Sequence, residues 1–204
     1  RDRFNWTGPD GFASSSEDIS GLKAGQYTIL ITDANLCTVT SIIELTEPGE
    51  LGMNLTLSSS FAGAYNINCA GDNTGFIEVE PVNQAGAVTY LWSDGSVSAE
   101  RTGLAAGAYE LIITDSNGCL ADTLVTLTEP DPIEISFAVT EPFCPDMPDG
   151  SIELTVTGGV IATDYTYLWS DNSTTRDISN IPAGWYWVNV SDMNGCIARD
   201  SVNV

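Results

Sequence analysis

The sequence predicts an all-β chain of small two-sheet sandwiches in tandem, and three observations carry that expectation. Apolar and polar residues alternate with period two in runs rich in Val, Ile, Thr and Tyr, as half-buried strands require. Clusters of Gly, Asn and Asp interrupt these runs every eight to twelve residues, and no stretch of useful length has an amphipathic helical period. One pattern also occurs three times: LKAGQYTILITDANLC at 22–37, LAAGAYELIITDSNGC at 104–119 and IPAGWYWVNVSDMNGC at 181–196.

Taken in chain order, each piece of the repeat has a structural reason. A front strand is written by Gly75-Phe-Ile-Glu-Val and again by Gly150-Ser-Ile-Glu-Leu, with Ile152, Leu154 and Val156 alternating against Glu153, Thr155 and Thr157. A tryptophan strand follows, at Trp6, Trp92 and Trp169. Next comes Ala-Gly-x-Tyr and the strongest strand, where Tyr109, Leu111 and Ile113 alternate with Glu110, Ile112 and Thr114. Tyr27, Tyr109 and Tyr186 sit where a sandwich places a tyrosine corner, ring toward the core and hydroxyl tied to backbone. The Asp-x-Asn-Gly turns suit a tight hairpin, because Asn and Gly accept positive φ. Leu36 replaces that Gly in the first copy, so its turn is expected to be altered or strained. Thr-Glu-Pro then closes the copy at Pro48 and Pro130.

About seven short strands in 75–82 residues point to an immunoglobulin-like sandwich. The expected domains are 1–48, the C-terminal part of a first repeat, then 49–130 and 131–204. Both ends of the sequence fall inside a repeat, which is expected of a window on a longer array. The charge divides as −4, −9 and −9 over these segments, so the total of −22 is a property of each repeat. That charge repels phosphate backbones and argues against nucleic-acid binding. The absence of His removes Ser-His-Asp and Cys-His catalytic units and imidazole metal ligands. Two carboxylates for glycoside hydrolysis are easily found among 28, so their presence says nothing, and no catalytic residue is expected. The single lysine, Lys23, excludes a Lys–Asn isopeptide bond in every repeat.

Five cysteines align with the repeat. Cys69 and Cys119 are 50 residues apart, Cys144 and Cys196 are 52 apart, and each pair is expected to close within its own repeat. Cys37 matches Cys119 and Cys196, so its partner is expected before residue 1. A loop of that size stabilises a small domain by roughly 4 kcal/mol in the chain-entropy model. The alternative is a set of reduced cysteines, as in a cytosolic protein. Disulfides imply an oxidising compartment, and the sequence has no apolar run long enough for membrane insertion.

Residues 150–159 (GSIELTVTGG), 165–196 and 119–130 (CLADTLVTLTEP) together resemble the SprB repeat of very large surface adhesins of gliding Bacteroidota. The resemblance covers the second and third copies and the end of the first. Its departures are Leu36 and a stretch between Trp6 and Gly25 that is four residues longer. It implies export by the type IX system, display on the cell surface, a role in adhesion or gliding, and no catalytic residues.

Several residues are candidates for more than folding. Cys69–Cys119 pairing would bring Asp72 and Asp115 to one domain end, and the third repeat would gather Asp146, Asp149 and Asp192 likewise. Such oxygens could bind Ca²⁺, but Asx turns account for these residues without a metal, and no Asp-x-Asp-x-Asp-Gly loop is present. Trp185 and Trp187 share the outer face of their strand, where the other copies have Gln26 and Thr28, and Ala108 and Glu110. Two exposed indoles could stack on a sugar or bury in a protein contact. Asp122-Thr123-Leu124 and Asp200-Ser201-Val202 resemble the short Bacteroidota O-glycosylation motif, at Thr123 and Ser201. The expected partners are neighbouring repeats, other copies in a filament, and surface polysaccharide. Three functions remain open: a semi-rigid extracellular stalk, a subunit segment of a multi-chain filament, and a carbohydrate-binding accessory module of a secreted enzyme.

Overall fold

A computed structural model describes residues 2–60, 63–144, 146–161 and 163–204, and it is built from antiparallel β-sheets. Contacts divide the chain into two units, Arg1–Glu50 and Leu51–Val204. In the first, a single sheet has the order β2-β1-β3-β4, formed by β1 (Arg3–Thr7), β2 (Ala13–Ser14), β3 (Gly25–Thr32) and β4 (Thr38–Leu45). Trp6, Tyr27 and Ile29 are its buried centre, with Phe4, Phe12, Ile19, Leu22 and Ile31 packed around them. These residues match only the second half of a repeat, and β4 is exposed along its whole length.

The second unit holds two sandwiches. The first contains β5 (Gly52–Leu57), β6 (Gly75–Val82), β7 (Thr89–Trp92), β8 (Glu100–Leu104), β9 (Gly107–Thr114) and β10 (Leu120–Leu127). They form one sheet ordered β5-β6-β8 and another ordered β10-β9-β7. The second contains β11 (Glu134–Thr140), β12 (Gly150–Thr157), β13 (Thr166–Trp169), β14 (Ile178–Ile181), β15 (Trp185–Ser191) and β16 (Ile197–Asn203). Its sheets, β11-β12-β14 and β13-β15-β16, repeat the arrangement strand for strand. This two-sheet order with crossing connections is immunoglobulin-like.

Each sandwich therefore has six strands among the described residues, where the sequence suggested about seven. The link from β7 to β8 is too short for another strand and folds back on the tryptophan. The Trp92 amide donates to the Ser96 carbonyl at 2.9 Å, and its Nε1 donates to the Ser98 carbonyl at 2.9 Å. Trp169 does the same with Ser173 and Thr175. Trp6 Nε1 reaches the Ser16 carbonyl instead, so the four extra residues of the first copy lie within that loop.

The alternation read from sequence builds both cores. Ile77, Val79, Trp92, Leu104, Leu111, Ile113, Val125 and Leu127 are buried in one. Ile152, Leu154, Trp169, Ile181, Val188, Val190 and Val204 hold corresponding places in the other. Complete burial of one such side chain contributes about 1.5–3 kcal/mol. Gly75 and Gly150 begin their strands because nothing larger fits. A Cβ on Gly75 would stand 2.6 Å from the Leu104 carbonyl, and one on Gly150 would stand 2.9 Å from the Ile181 carbonyl. The tyrosine corner is present three times: Tyr27, Tyr109 and Tyr186 donate to the carbonyls of Lys23, Ala105 and Pro182 at 2.9–3.0 Å. Tyr27 is buried, and Tyr109 and Tyr186 are half-buried at the core edge.

The two ends of a sandwich carry different connections. The β6–β7 connection and the β9–β10 hairpin share one end, the head, where the Ser116 amide donates to the Ala85 carbonyl. The β5–β6 connection lies at the other end, the tail, where the Asn66 and Ile67 amides donate to the Thr128 carbonyl just after β10.

The hairpins confirm the turn chemistry. Gly118 and Gly195 have φ of 82° and 83°, and Leu36 is forced to 67° in the same turn. A β-substituted residue there costs about 1–2 kcal/mol. Leu36 is also exposed and gains little from packing. Leu36→Gly is expected to stabilise the first unit by about 1 kcal/mol, read as a higher midpoint in its urea transition. An unchanged or lower midpoint would refute the strain.

Candidate functional site: the seam between two repeats

The tail of the sandwich 51–127 meets the head of the sandwich 134–203, and their cysteines are joined there. Cys69, in the β5–β6 connection, is bonded to Cys196, in the β15–β16 hairpin, across 127 residues. This corrects the pairing expected from spacing. Cys69 does not bond Cys119, nor Cys144 Cys196; Cys119 and Cys144 are exposed and unbonded, as is Cys37. The reason is strand direction. Cys69 lies at the tail of its repeat and Cys119 at the head, with the eight-residue β9 running between those ends. Eight residues of strand span about 27 Å, and a disulfide needs Cα atoms within about 7 Å. Stacked head to tail, adjacent repeats bring the Cα atoms of Cys69 and Cys196 to 5.5 Å.

Further contacts surround the bond. Asn194 Nδ2 donates to the Asn68 carbonyl at 2.8 Å, and the Gly159 amide donates to the Asp131 carbonyl at 2.8 Å. The linker residues Pro130, Asp131 and Pro132 line a cleft here with Asp72, Asp192 and the two cysteines. The fixed φ of the two prolines limits the freedom of the linker.

The acidic residues do structural work at the heads. Asp115 Oδ1 accepts from the amides of Asn117 and Cys119 at 2.9 Å, and Oδ2 accepts from Ala85 at 3.0 Å. Asp192 Oδ1 accepts from Cys196 and Oδ2 from Val160, closing the next head in the same way. Asp33 holds Asn35 and Cys37 in the first unit. The expected acidic groupings are not formed. Asp72 is at the tail and Asp115 at the head of one repeat, while Asp149 accepts from the Phe143 amide at the tail opposite Asp192. Asp146 is exposed near that tail. Among the described residues, no group of three or more His, Cys, Asp or Glu stands as a metal cage.

Trp185 and Trp187 do share an outer face. Trp185 is 73% exposed. Trp187 is half-buried beneath the Arg199 guanidinium, 4.3 Å above its ring, so one indole of the pair is already partnered. On the neighbouring strand Ser201 is exposed opposite Trp187. Thr123 pairs instead with the buried Leu111 and is itself half-buried on the core-facing side. The two O-glycosylation-like motifs are one position out of phase, since Val188, the counterpart of Leu111, pairs with Asp200. Strand alternation therefore turns Thr123 inward and Ser201 outward.

Strand order, paired cores and a covalent seam define a chain of tandem immunoglobulin-like β-sandwiches. The SprB repeat family model matches two segments, residues 64–97 and 136–174, so these two repeats are similar to the SprB repeat. Both matches run through the front cysteine, the following strand and the tryptophan strand. No curated protein matches the chain. Among solved structures, one titled "Structural basis for Dscam isoform specificity" is similar over 98% of this chain and 64% of its own, at 11% identity and a TM-score of 0.28. The amphioxus IgVJ-C2 molecule is similar over 78% of this chain and 98% of its own, at 16% identity and a TM-score of 0.28. Sidekick-1 immunoglobulin domains 1-4 are similar over 99% and 65%, at 12% identity and 0.28. The chain thus spans about two thirds of the Dscam and Sidekick structures. Likeness at these scores carries no functional argument, and the strand order stands without it. No helix among the described residues is long and apolar enough to cross a membrane.

The head geometry predicts an acid response. The Ala85 amide foremost, with those of Cys119 and Asn117, holds the Asp115 carboxyl below its ordinary value of 3.8. A depressed folded pKa gives stability that is present above the unfolded value and lost as pH falls through the folded one. Asp115→Asn is expected to lower the urea midpoint of Leu51–Val204 at pH 7. Its deficit against the parent chain should shrink as pH falls below 3.8. A deficit that stays constant with pH would show that the carboxylate charge contributes nothing.

Proposed function

We propose that this chain is a stalk segment of a large exported cell-surface protein, serving attachment or gliding and carrying no catalysis. The disulfide-closed seam carries the reading. Repeats joined only by a flexible linker are free to turn about one another, whereas Cys69–Cys196, the Pro130–Pro132 linker and the Asn194–Asn68 hydrogen bond tie two repeats together. An oxidised bond of this kind belongs to an extracytoplasmic compartment. The SprB family supports a place at the cell surface, and export through the type IX system follows from that resemblance. The charge of −9 on each of the last two segments keeps neighbouring copies apart.

The test is immunogold imaging of intact cells with antibody to residues 51–204. Label along threads outside unpermeabilised cells is the expected result. Label that appears only after permeabilisation, or on a compact soluble enzyme, overturns the proposal.

A second reading rests on the exposure of Trp185. The face it shares with Leu168, Asn189 and Ser201 could hold a surface polysaccharide or another copy in a filament. A stacked indole contributes about 0.5–1.5 kcal/mol. Trp185→Thr is therefore expected to weaken binding up to about tenfold on a glycan array, or in filament assembly, without moving the thermal midpoint. If both readouts match the parent chain, Trp185 has no contact role.

A further inference from the structure

We infer that Cys69–Cys196 is one rung of a repeating covalent ladder, in which the front cysteine of each repeat bonds to the hairpin cysteine of the repeat that follows it. Cys144 and Cys119 are then half-cystines for adjoining repeats, not functional free thiols. The inference rests on the repeat architecture and stands whether or not the surface reading does.

Three observations carry it. First, Cys144 is the structural counterpart of Cys69. Each lies six residues before the glycine that opens the next strand, Gly75 or Gly150. Each carbonyl accepts the same hydrogen bond: the Asp72 amide donates to the Cys69 carbonyl at 3.1 Å, and the Met147 amide to the Cys144 carbonyl at 2.9 Å. Second, the three hairpin cysteines are held alike whether bonded or not. The amides of Cys37, Cys119 and Cys196 donate to Oδ1 of Asp33, Asp115 and Asp192 at 2.8–2.9 Å. The carbonyls of the same cysteines accept from those aspartates' amides at 2.9–3.1 Å. The unbonded hairpins need no rearrangement to resemble the bonded one. Third, Cys119 lies at the head of the sandwich 51–127 and Cys144 at the tail of the sandwich 134–203, the two ends of Leu51–Val204 that the seam does not use, and both are exposed. They are too far apart to bond each other, and each faces the place where an adjoining repeat would stack.

The chemistry is thiol–disulfide exchange with an external disulfide as oxidant. The Cys144 thiolate attacks a sulfur of that disulfide, forming a mixed disulfide and releasing one carrier thiolate. The hairpin thiolate of the next repeat then attacks Cys144 Sγ and releases the second carrier thiolate. One Sγ–Sγ bond forms, two protons leave the cysteines, and the carrier disulfide takes up two electrons as two thiols.

The test extends the 204-residue chain with Thr-Glu-Pro, as at 128–130, and a second copy of residues 131–204. The added copy carries Ser in place of its front cysteine and Leu in place of its Met193 counterpart, so that its hairpin peptide has a mass of its own. The protein is oxidised in a reduced and oxidised glutathione buffer, alkylated, cleaved at Asp and Glu without reduction, and mapped by mass spectrometry. The expected result is Cys69 linked to Cys196 and Cys144 linked to the added hairpin, with Cys37 and Cys119 alkylated. In a Cys144→Ser version the added hairpin cysteine becomes alkylated while Cys69–Cys196 persists. Alkylated Cys144 in a chain that retains Cys69–Cys196, linkage of Cys144 to Cys196, or linkage only between molecules each overturns the ladder.

Discussion

One strand length separates the two cysteines of each complete repeat, and much of the structure depends on that distance. Antiparallel strands carry the chain from tail to head and back, so the front connection and the last hairpin cannot lie at the same end. The sulfur chemistry is thereby directed outward instead of closing each domain on itself. Each sandwich then depends on its own buried residues, with Trp92 or Trp169 at the centre and the loop after it pinned by the indole N–H. The bond that remains is used between domains, where it removes a degree of freedom that packing alone would leave.

Much of this was legible in the sequence because it is local. Strand alternation gave the inward set around Leu111 and Val188, and Ala-Gly-x-Tyr gave the corner in which Tyr109 reaches back to Ala105. The Asp-x-Asn-Gly turn gave the hairpins, including the strained Leu36. The cysteine pairing was misread because equal spacing in two repeats fits any regular pairing, within repeats or between them. The signal that decides between them was present: counting strand reversals from Cys69 to Cys119 puts them at opposite ends. The grouping of Asp72 with Asp115 inherited the same error. The motif at Thr123 shows a related limit of short patterns, since three residues do not report which face of a strand the middle one occupies, and Thr123 lies opposite the buried Leu111.

The negative charge also gains a physical assignment. Asp33, Asp115 and Asp192 spend their lone pairs on the amides of their own hairpins, and the last two close the heads as well. A carboxylate suits this place because it accepts several N–H groups at once, and such charge-assisted bonds are stronger than neutral ones. These aspartates sit beside the cysteines in all three copies, so the same residue that folds the turn also presents the thiol.

The Cys69–Cys196 bond has a mechanical consequence. When the chain is pulled between Leu51 and Val204, tension enters along residues 51–69, crosses the sulfurs, and leaves along 196–204. The segment between the cysteines carries no load, even if both sandwiches were to unfold. Its extended length would be about 430 Å for a separation of 127 residues. All of that length is withheld while the bond is oxidised. Extension under load is thus confined to residues 51–69 and 196–204, and a reducing agent reaching the seam would convert a short spacer into a long, yielding tether.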